Sequence, residues 1–155
     1  MGASGTILIS TDNGSTFDNK TSPTVNGLRQ VAYGNNIFVA VGLVGTILRS
    51  QDDGQTWDNV TSPTTENLYG IAFGNNTFVI VGEGGTIVIS SDNGSNWTDA
   101  TYPINDFFYG ITYVNNAFIL VGESGIIKRS TNNGSSWDNV TSATTSLLHG
   151  VVPRE

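Results

Sequence analysis

Four side chains stand at a constant interval of 40 residues: Asp12 in STDNGSTF, Asp52 in SQDDGQTW, Asp92 in SSDNGSNW and Asn132 in STNNGSSW. A carboxylate in this setting has three uses. It can act as a general acid, ligate a metal, or brace a turn by accepting hydrogen bonds from backbone N–H groups two residues on. The fourth copy separates these uses, because the amide oxygen of Asn132 can brace a turn but an amide cannot serve as a general acid. Gly14, Gly54, Gly94 and Gly134 follow two positions later and supply a backbone conformation that a side chain resists. Phe17, Trp57, Trp97 and Trp137 come three positions after each glycine, as bulk to fill space between packed layers. Asp52-Asp53-Gly54 and Asp12-Asn13-Gly14 bear a faint likeness to a calcium loop but lack its spaced acidic ligands and closing glutamate. His149 is the single histidine and the chain has no cysteine, so neither a His-rich nor a Cys-ligated site forms within one chain. No metal and no cofactor is expected.

Other residues carry chemistry outside this motif. Glu83 and Glu123 share one repeat position and are candidates for a carboxylate pair, which in a glycosidase needs a set separation across a cleft. Nothing in the sequence marks either for a raised pKa. Arg29, Arg49, Arg129 and Arg154 are the arginines that could fork onto a carboxylate. Arg49 and Arg129 occupy a position held by Ile9 and Ile89 in the alternate repeats, and are read as snorkelling or pairing at an edge. Some positions vary while their neighbours repeat: Arg29, Tyr69, Tyr109 and His149 in one series, Ala3, Leu43, Glu83 and Glu123 in another, with Glu66 and Asp106 in the connections. Tyrosine joins a flat apolar face to a polar tip, which suits sugars and peptide surfaces. Arg29, Tyr69, Tyr109, His149, Glu83 and Glu123 are therefore the candidate ligand contacts. The plainer reading is that they face solvent and vary freely. No catalytic residue is expected.

These side chains are positioned by elements that repeat with the motif. GNNIFVAVG from Gly34, GNNTFVIVG from Gly74 and VNNAFILVG from Val114 keep the same spacing, as do the Gly-Thr/Ile-Ile starts at residues 5, 45, 85 and 125. Each repeat reads as four short strands, exemplified by 68–73, 77–82, 86–90 and 96–101. Asn-Asn turns the chain after the first strand, a glycine-rich turn follows the second, and the Asp motif links the third to the fourth. Strands one to three are apolar on both faces, so each sheet must lie between other sheets. Four strands in about 40 residues, buried on both sides, describe a blade of an all-β propeller. The copies are diverged yet free of insertions, a pattern shared by diverged duplication and by a reconstructed or designed propeller.

Composition bounds the function. The 155 residues suffice for one domain, 37% are apolar, and 19 are glycine. With a net charge of −7 and six scattered Lys and Arg, there is no basic stripe to follow phosphates or to hold an anionic membrane. No apolar run approaches the roughly 20 residues of a membrane-spanning helix. The start, MGASGTILIS, lacks the basic region and long apolar run of a signal peptide, and the compartment stays open. Sequons such as Asn59-Val-Thr and Asn139-Val-Thr are by-products of the repeat.

The recurring S-x-D-x-G-x-x-W resembles the Asp-box, or BNR repeat, of sialidase-like propellers and of photosystem II assembly and stability factors. The resemblance covers nearly the whole chain, with Asn132 and Phe17 as its departures. It implies that the box lies in the hairpin between strands three and four, on the periphery and away from the ligand face. It also implies protein partners. A sialidase-like hydrolase would need an arginine cluster, a tyrosine nucleophile and acidic partners. The phase of the repeat implies strands three and four of one blade, then three complete blades, then a lone first strand at 146–152. The expectation is a single half-propeller domain over 1–155 with incomplete blades at both termini. Two such chains would form an eight-bladed ring, with an open polymer or part of a longer propeller as alternatives. The expected function is a non-enzymatic, self-associating scaffold or binding module. A carbohydrate-binding propeller is second and a sialidase-like hydrolase third.

Overall fold

Alternation of short apolar runs with Asn-Asn and Asp-x-Gly turns produces fourteen strands in the computed structural model, which describes residues 1–153. β1 (Ile7–Ile9) and β2 (Asp18–Lys20) pair as a two-stranded sheet, blade I. Blade II is β3 (Leu28–Gly34), β4 (Ile37–Gly42), β5 (Ile47–Ser50) and β6 (Asp58–Val60). Blade III is β7 (Leu68–Gly74), β8 (Thr77–Gly82), β9 (Ile87–Ser90) and β10 (Thr98–Asp99). Blade IV is β11 (Phe108–Val114), β12 (Ala117–Gly122), β13 (Ile127–Ser130) and β14 (Asp138–Asn139). Every ladder is antiparallel between sequence neighbours, so each complete blade is a four-stranded meander.

The first hairpin of each blade turns on a pair of asparagines with positive φ: 51° and 60° at 35–36, 47° and 57° at 75–76, 48° and 58° at 115–116. That is the primed turn whose twist matches the strands it joins, and asparagine tolerates it better than other side chains. The glycine-rich turn after the second strand is a single 3-10 turn, Glu83–Gly85 in blade III.

The core lies between blades rather than within them. Val39, Val41 and Ile47 of blade II meet Leu68, Ile71, Phe78, Ile80 and Val88 of blade III. The next layer sets Val79, Val81 and Ile87 against Phe108, Ile111, Phe118 and Leu120. Ile7 of blade I packs with Leu28, Ala40 and Leu48 of blade II. Trp57, Trp97 and Trp137 sit in successive layers, so the tryptophans do wedge between blades. Close approach depends on Gly34 and Gly74, where a Cβ would collide with the rings of Phe73 and Tyr113 in the following blade.

Two expectations need correction. The fourth strand, read over 96–101, narrows to Thr98–Asp99, because it is the outermost strand and only β9 holds it. Residues 146–152, read as a lone first strand, form no ladder. Leu148 N–H does donate to Gly122 O at 3.0 Å, but no neighbouring second strand supplies the bonds that would make this segment a strand. Arg154 lies outside the described residues.

Candidate functional site

The Asp-boxes occupy the hairpins between third and fourth strands, on the outer edge of each blade. Their geometry is that of a brace. Asp12 accepts from Thr16 N–H at 2.9 Å and Thr16 Oγ1–H at 2.7 Å, and Asp52 does the same with Thr56 at 2.9 and 2.6 Å. Asp92 accepts from Asn96 N–H at 2.9 Å and Asn96 Nδ2–H at 2.8 Å. The main-chain donor is thus four residues on rather than two, because the turn is longer than a simple Asx turn. Asn132 makes the same bond, its amide oxygen accepting from Ser136 N–H at 2.9 Å while its Nδ2–H donates to Ser136 Oγ at 2.8 Å.

A further box residue is the serine at the start. Ser10, Ser50, Ser90 and Ser130 each donate to the Asp or Asn oxygen and accept from the glycine N–H, at 2.8 to 2.9 Å for the latter. Its constancy across all four copies was the signal for it. Gly54, Gly94 and Gly134 take φ of 79°, 75° and 84°, in the region that favours glycine. Each box tryptophan donates its Nε1–H to its glycine carbonyl, at 2.9 Å for Trp57, 3.2 Å for Trp97 and 3.0 Å for Trp137. The bonds to Thr16 and Thr56 hold the Asp12 and Asp52 carboxyls down at about 2, and those from the Asn96 main chain and side chain do so for Asp92. Such groups stay ionised and have no proton to give near neutrality.

On the inner strands the candidate contacts are partly gathered. The first strands β3, β7 and β11 run beside one another. Tyr69 and Tyr109 therefore stack across blades III and IV, with centroids 5.0 Å apart and planes at 24°. Tyr109 meets His149 at 5.4 Å, and Phe107 stands edge-on to Tyr109 at 6.3 Å. Tyr69 Oη–H donates to Glu83 Oε1 in a short bond, and Asn67 Nδ2–H donates to the same oxygen at 3.0 Å. Burial first, and then the Glu83 carboxylate, pushes the Tyr69 phenol up to about 12; Glu83 is in turn lowered, chiefly by the Tyr69 bond. Burial and then the charge of Glu123 also raise Tyr109.

Glu83 and Glu123 are not joined as a pair. Glu123 Oε2 accepts from Phe107 N–H at 3.3 Å within blade IV, while Glu83 is committed to blade III. Arg29 is exposed and its side chain makes no hydrogen bond among the described residues. Arg49 Nε–H donates to Asn93 O of the next blade at 2.7 Å, so it ties a box to its neighbour rather than pairing with an acid. Lys128 was not singled out by its sequence position, yet it is only 4% exposed at the place of Leu48 and Val88. Its ammonium lies 4.0 Å from the centre of the Tyr102 ring and donates to Asn139 Oδ1 at 2.7 Å. No group of three or more His, Cys, Asp or Glu among the described residues is placed to hold a metal ion. No helix there is long and apolar enough to cross a membrane.

Comparison with solved structures recovers the same architecture in varied settings. "YCF48 bound to D1 peptide" is similar with a TM-score of 0.75 at 20% identity, over 99% of this chain and 53% of that one. An ancestral GH74 enzyme is similar at 0.75 and 21%, over 90% and 22%. The computationally designed Ika8 protein is similar at 0.70 and 14%, over 93% and 46%. The chain thus spans about half the length of the YCF48 and Ika8 chains and less of the enzyme. At these identities the likeness shows the fold, all-β with four-stranded antiparallel blades, and that one fold serves an enzyme and a non-natural protein alike. Comparison with curated proteins gave no match. Residues 56–147, more than half of the chain, match the family described as photosynthesis system II assembly factor YCF48. With four in-register boxes and blades that pack through their tryptophans, the chain belongs to this BNR-type family of YCF48-like propellers.

Proposed function

We propose that this chain is a non-catalytic binding module that completes a ring by pairing with a second copy, and that it offers the Tyr69–Tyr109–His149 rim to a protein segment. The observation that carries the pairing is at the box glycines. Gly54, Gly94 and Gly134 each face an apolar side chain of the preceding blade, whereas Gly14 faces nothing within 4 Å. Phe17 beside it is 60% exposed, against 7% for Trp57. At the other end Val140, Leu147 and Val152 are exposed. The two ends are the two halves of one kind of interface, and a second copy is the partner whose shape matches both. Two chains of this span make an eight-bladed ring, within the usual range of about 4–8 blades. Family membership and the peptide held by the YCF48 structure support a protein segment as the ligand class.

The stacked tyrosines favour a second reading, a carbohydrate ligand, because aromatic faces stack on sugar rings as readily as on peptides. A sialidase-like hydrolase ranks third. The Tyr69 phenol is pushed up rather than down, and Glu83 is lowered where a general acid needs raising. Sedimentation equilibrium with negative-stain microscopy tests the pairing: a two-chain mass with ring particles is expected, and a one-chain mass with cooperative unfolding refutes it. Peptide and glycan arrays, run beside a sialidase assay and repeated with Tyr69→Ala and Tyr109→Ala, test the rim. Peptide binding lost in both variants is expected. Glycan binding establishes the second reading, and turnover the third.

A further inference from the structure

We propose that the free edge of β1 and the groove beside it form a docking site for an extended apolar segment of another protein, of the pattern Phe-Val/Ile-apolar-Val-Gly. The inference rests on blade geometry and stands whether or not two chains pair. In blades II, III and IV the third strand is flanked on both sides: β9, for example, pairs with β10 on one edge and β8 on the other. β1 is the third strand of blade I, and it pairs with β2 alone. Its other edge presents unpaired backbone groups, the template for strand addition.

A groove of about 440 Å³ runs along that edge, floored by Leu8, Ile9, Val31, Tyr33, Phe38 and Trp57. The repeat shows what such a groove takes. Where β4 and β8 lie, Ile71 and Ile111 of the following blades are 2% and 5% exposed; Val31, at the same repeat position, is 40% exposed. Gly94 and Gly134 are met by Cγ2 of Val39 and Val79, at 3.0 and 3.3 Å from a Cβ built on each glycine, whereas Gly54 is met only by Ile9 and its own tryptophan. An incoming strand therefore needs a β-branched residue at its third position to reach Gly54, and valine at its fifth, like Val41 and Val81, to cover Val31. Register follows from the complete blades, in which Phe78, Val79, Ile80 and Val81 oppose Ser90, Ile89, Val88 and Ile87. The same pairing sets the incoming Phe against Ser10 and the incoming Val against Ile7. Glycine then ends the segment, as in β4, β8 and β12.

The test uses the full chain and a labelled synthetic peptide, NTFVIVGE, with the sequence of residues 76–83. Saturable one-to-one binding by fluorescence anisotropy is expected, with slowed amide exchange confined to residues 7–10 and the groove. In the peptide, Val79→Asp places a carboxylate in the apolar groove and should weaken binding by about tenfold or more. Val31→Glu in the chain, with its fold checked by circular dichroism, should do the same. No binding up to the peptide's solubility limit, binding indifferent to both substitutions, or protection elsewhere would overturn the proposal. So would a free chain whose β1 edge is already protected in a concentration-dependent manner, which assigns the edge to a second copy. The sedimentation mass, read separately, reports on ring pairing alone.

Discussion

Replacing Trp57 by Phe repeats at a filled interface the change that the first box carries at an open one. Trp57 is 7% exposed, lies with Ile7, Leu28, Ala40 and Leu48, and meets the Phe38 ring at 6.4 Å. Its indole N–H donates to Gly54 O at 2.9 Å. Phenylalanine removes that donor, a loss of about 1 kcal/mol. It also removes roughly 40 Å² of apolar ring, about 1 kcal/mol of transfer free energy, and adds a cavity term of similar size where the layer fails to collapse. The total is about 2–3 kcal/mol, or roughly 5–10 °C in Tm for a domain of this size. Phe17→Trp is the companion. With 60% of Phe17 exposed, it should change the stability of a single chain by less than about 0.5 kcal/mol. In the paired ring it should stabilise, and more so at higher protein concentration. Urea unfolding followed by far-ultraviolet circular dichroism measures both. A cost below about 0.5 kcal/mol for Trp57→Phe, or equal effects at the two boxes in a monomeric sample, would refute the view that the tryptophans act as interblade wedges.

Acid should weaken the protein in a defined window. Asp12, Asp52 and Asp92 have folded-state pKa values lowered from 3.8 to about 2, so the stability they contribute is present above pH 4 and is lost as pH falls toward 2. Replacing all three by Asn should flatten this part of the stability–pH curve, as the Asn132 box already does locally; an unchanged curve refutes the brace. Ultraviolet titration of the tyrosines should show one phenol ionising near 12, and Glu83→Gln should bring it part of the way back toward 10, because burial remains. A value unmoved by Glu83→Gln would mean that the Tyr69–Glu83 bond is not formed in solution. Lys128→Leu, which restores the aliphatic type of Leu48 and Val88, should stabilise by about 1–2 kcal/mol, since a buried charge gives way to packed hydrocarbon. Destabilisation would show that the contacts with Tyr102 and Asn139 outweigh the desolvation of the ammonium.

The blade was legible because its signals agree: Asn-Asn at the first turn, Phe-Val-Ile-Val at the second strand and the box at the third hairpin all keep one period. Residues 77–82 emerge as β8 with no shift at either end. Legibility failed where a partner, rather than the local sequence, decides the outcome. Residues 146–152 carry strand-forming side chains, but no second strand pairs with them. Lys128 reads as a surface residue, and only the strand's phase reveals that it points into the layer shared with blade III. At the rim, repeat position brought Tyr69, Tyr109 and His149 together, as spacing implies. The short bond that ties Glu83 to Tyr69, instead of leaving it free to pair with Glu123, depends on side-chain rotamers that no spacing encodes.

A core divided among interblade layers has a thermodynamic consequence. No blade holds a closed core of its own, so the chain behaves as a row of coupled units whose stability is a sum of nearest-neighbour terms. Blade III has both faces filled, and all of Thr77–Gly82 is buried. Blades I and IV each have a single filled face. Amide protection should therefore peak in β8 and decline in both directions, with unfolding entering from the ends. A defect in one layer should loosen the two blades that share it and fade beyond them, which gives this small protein a measurable cooperative length.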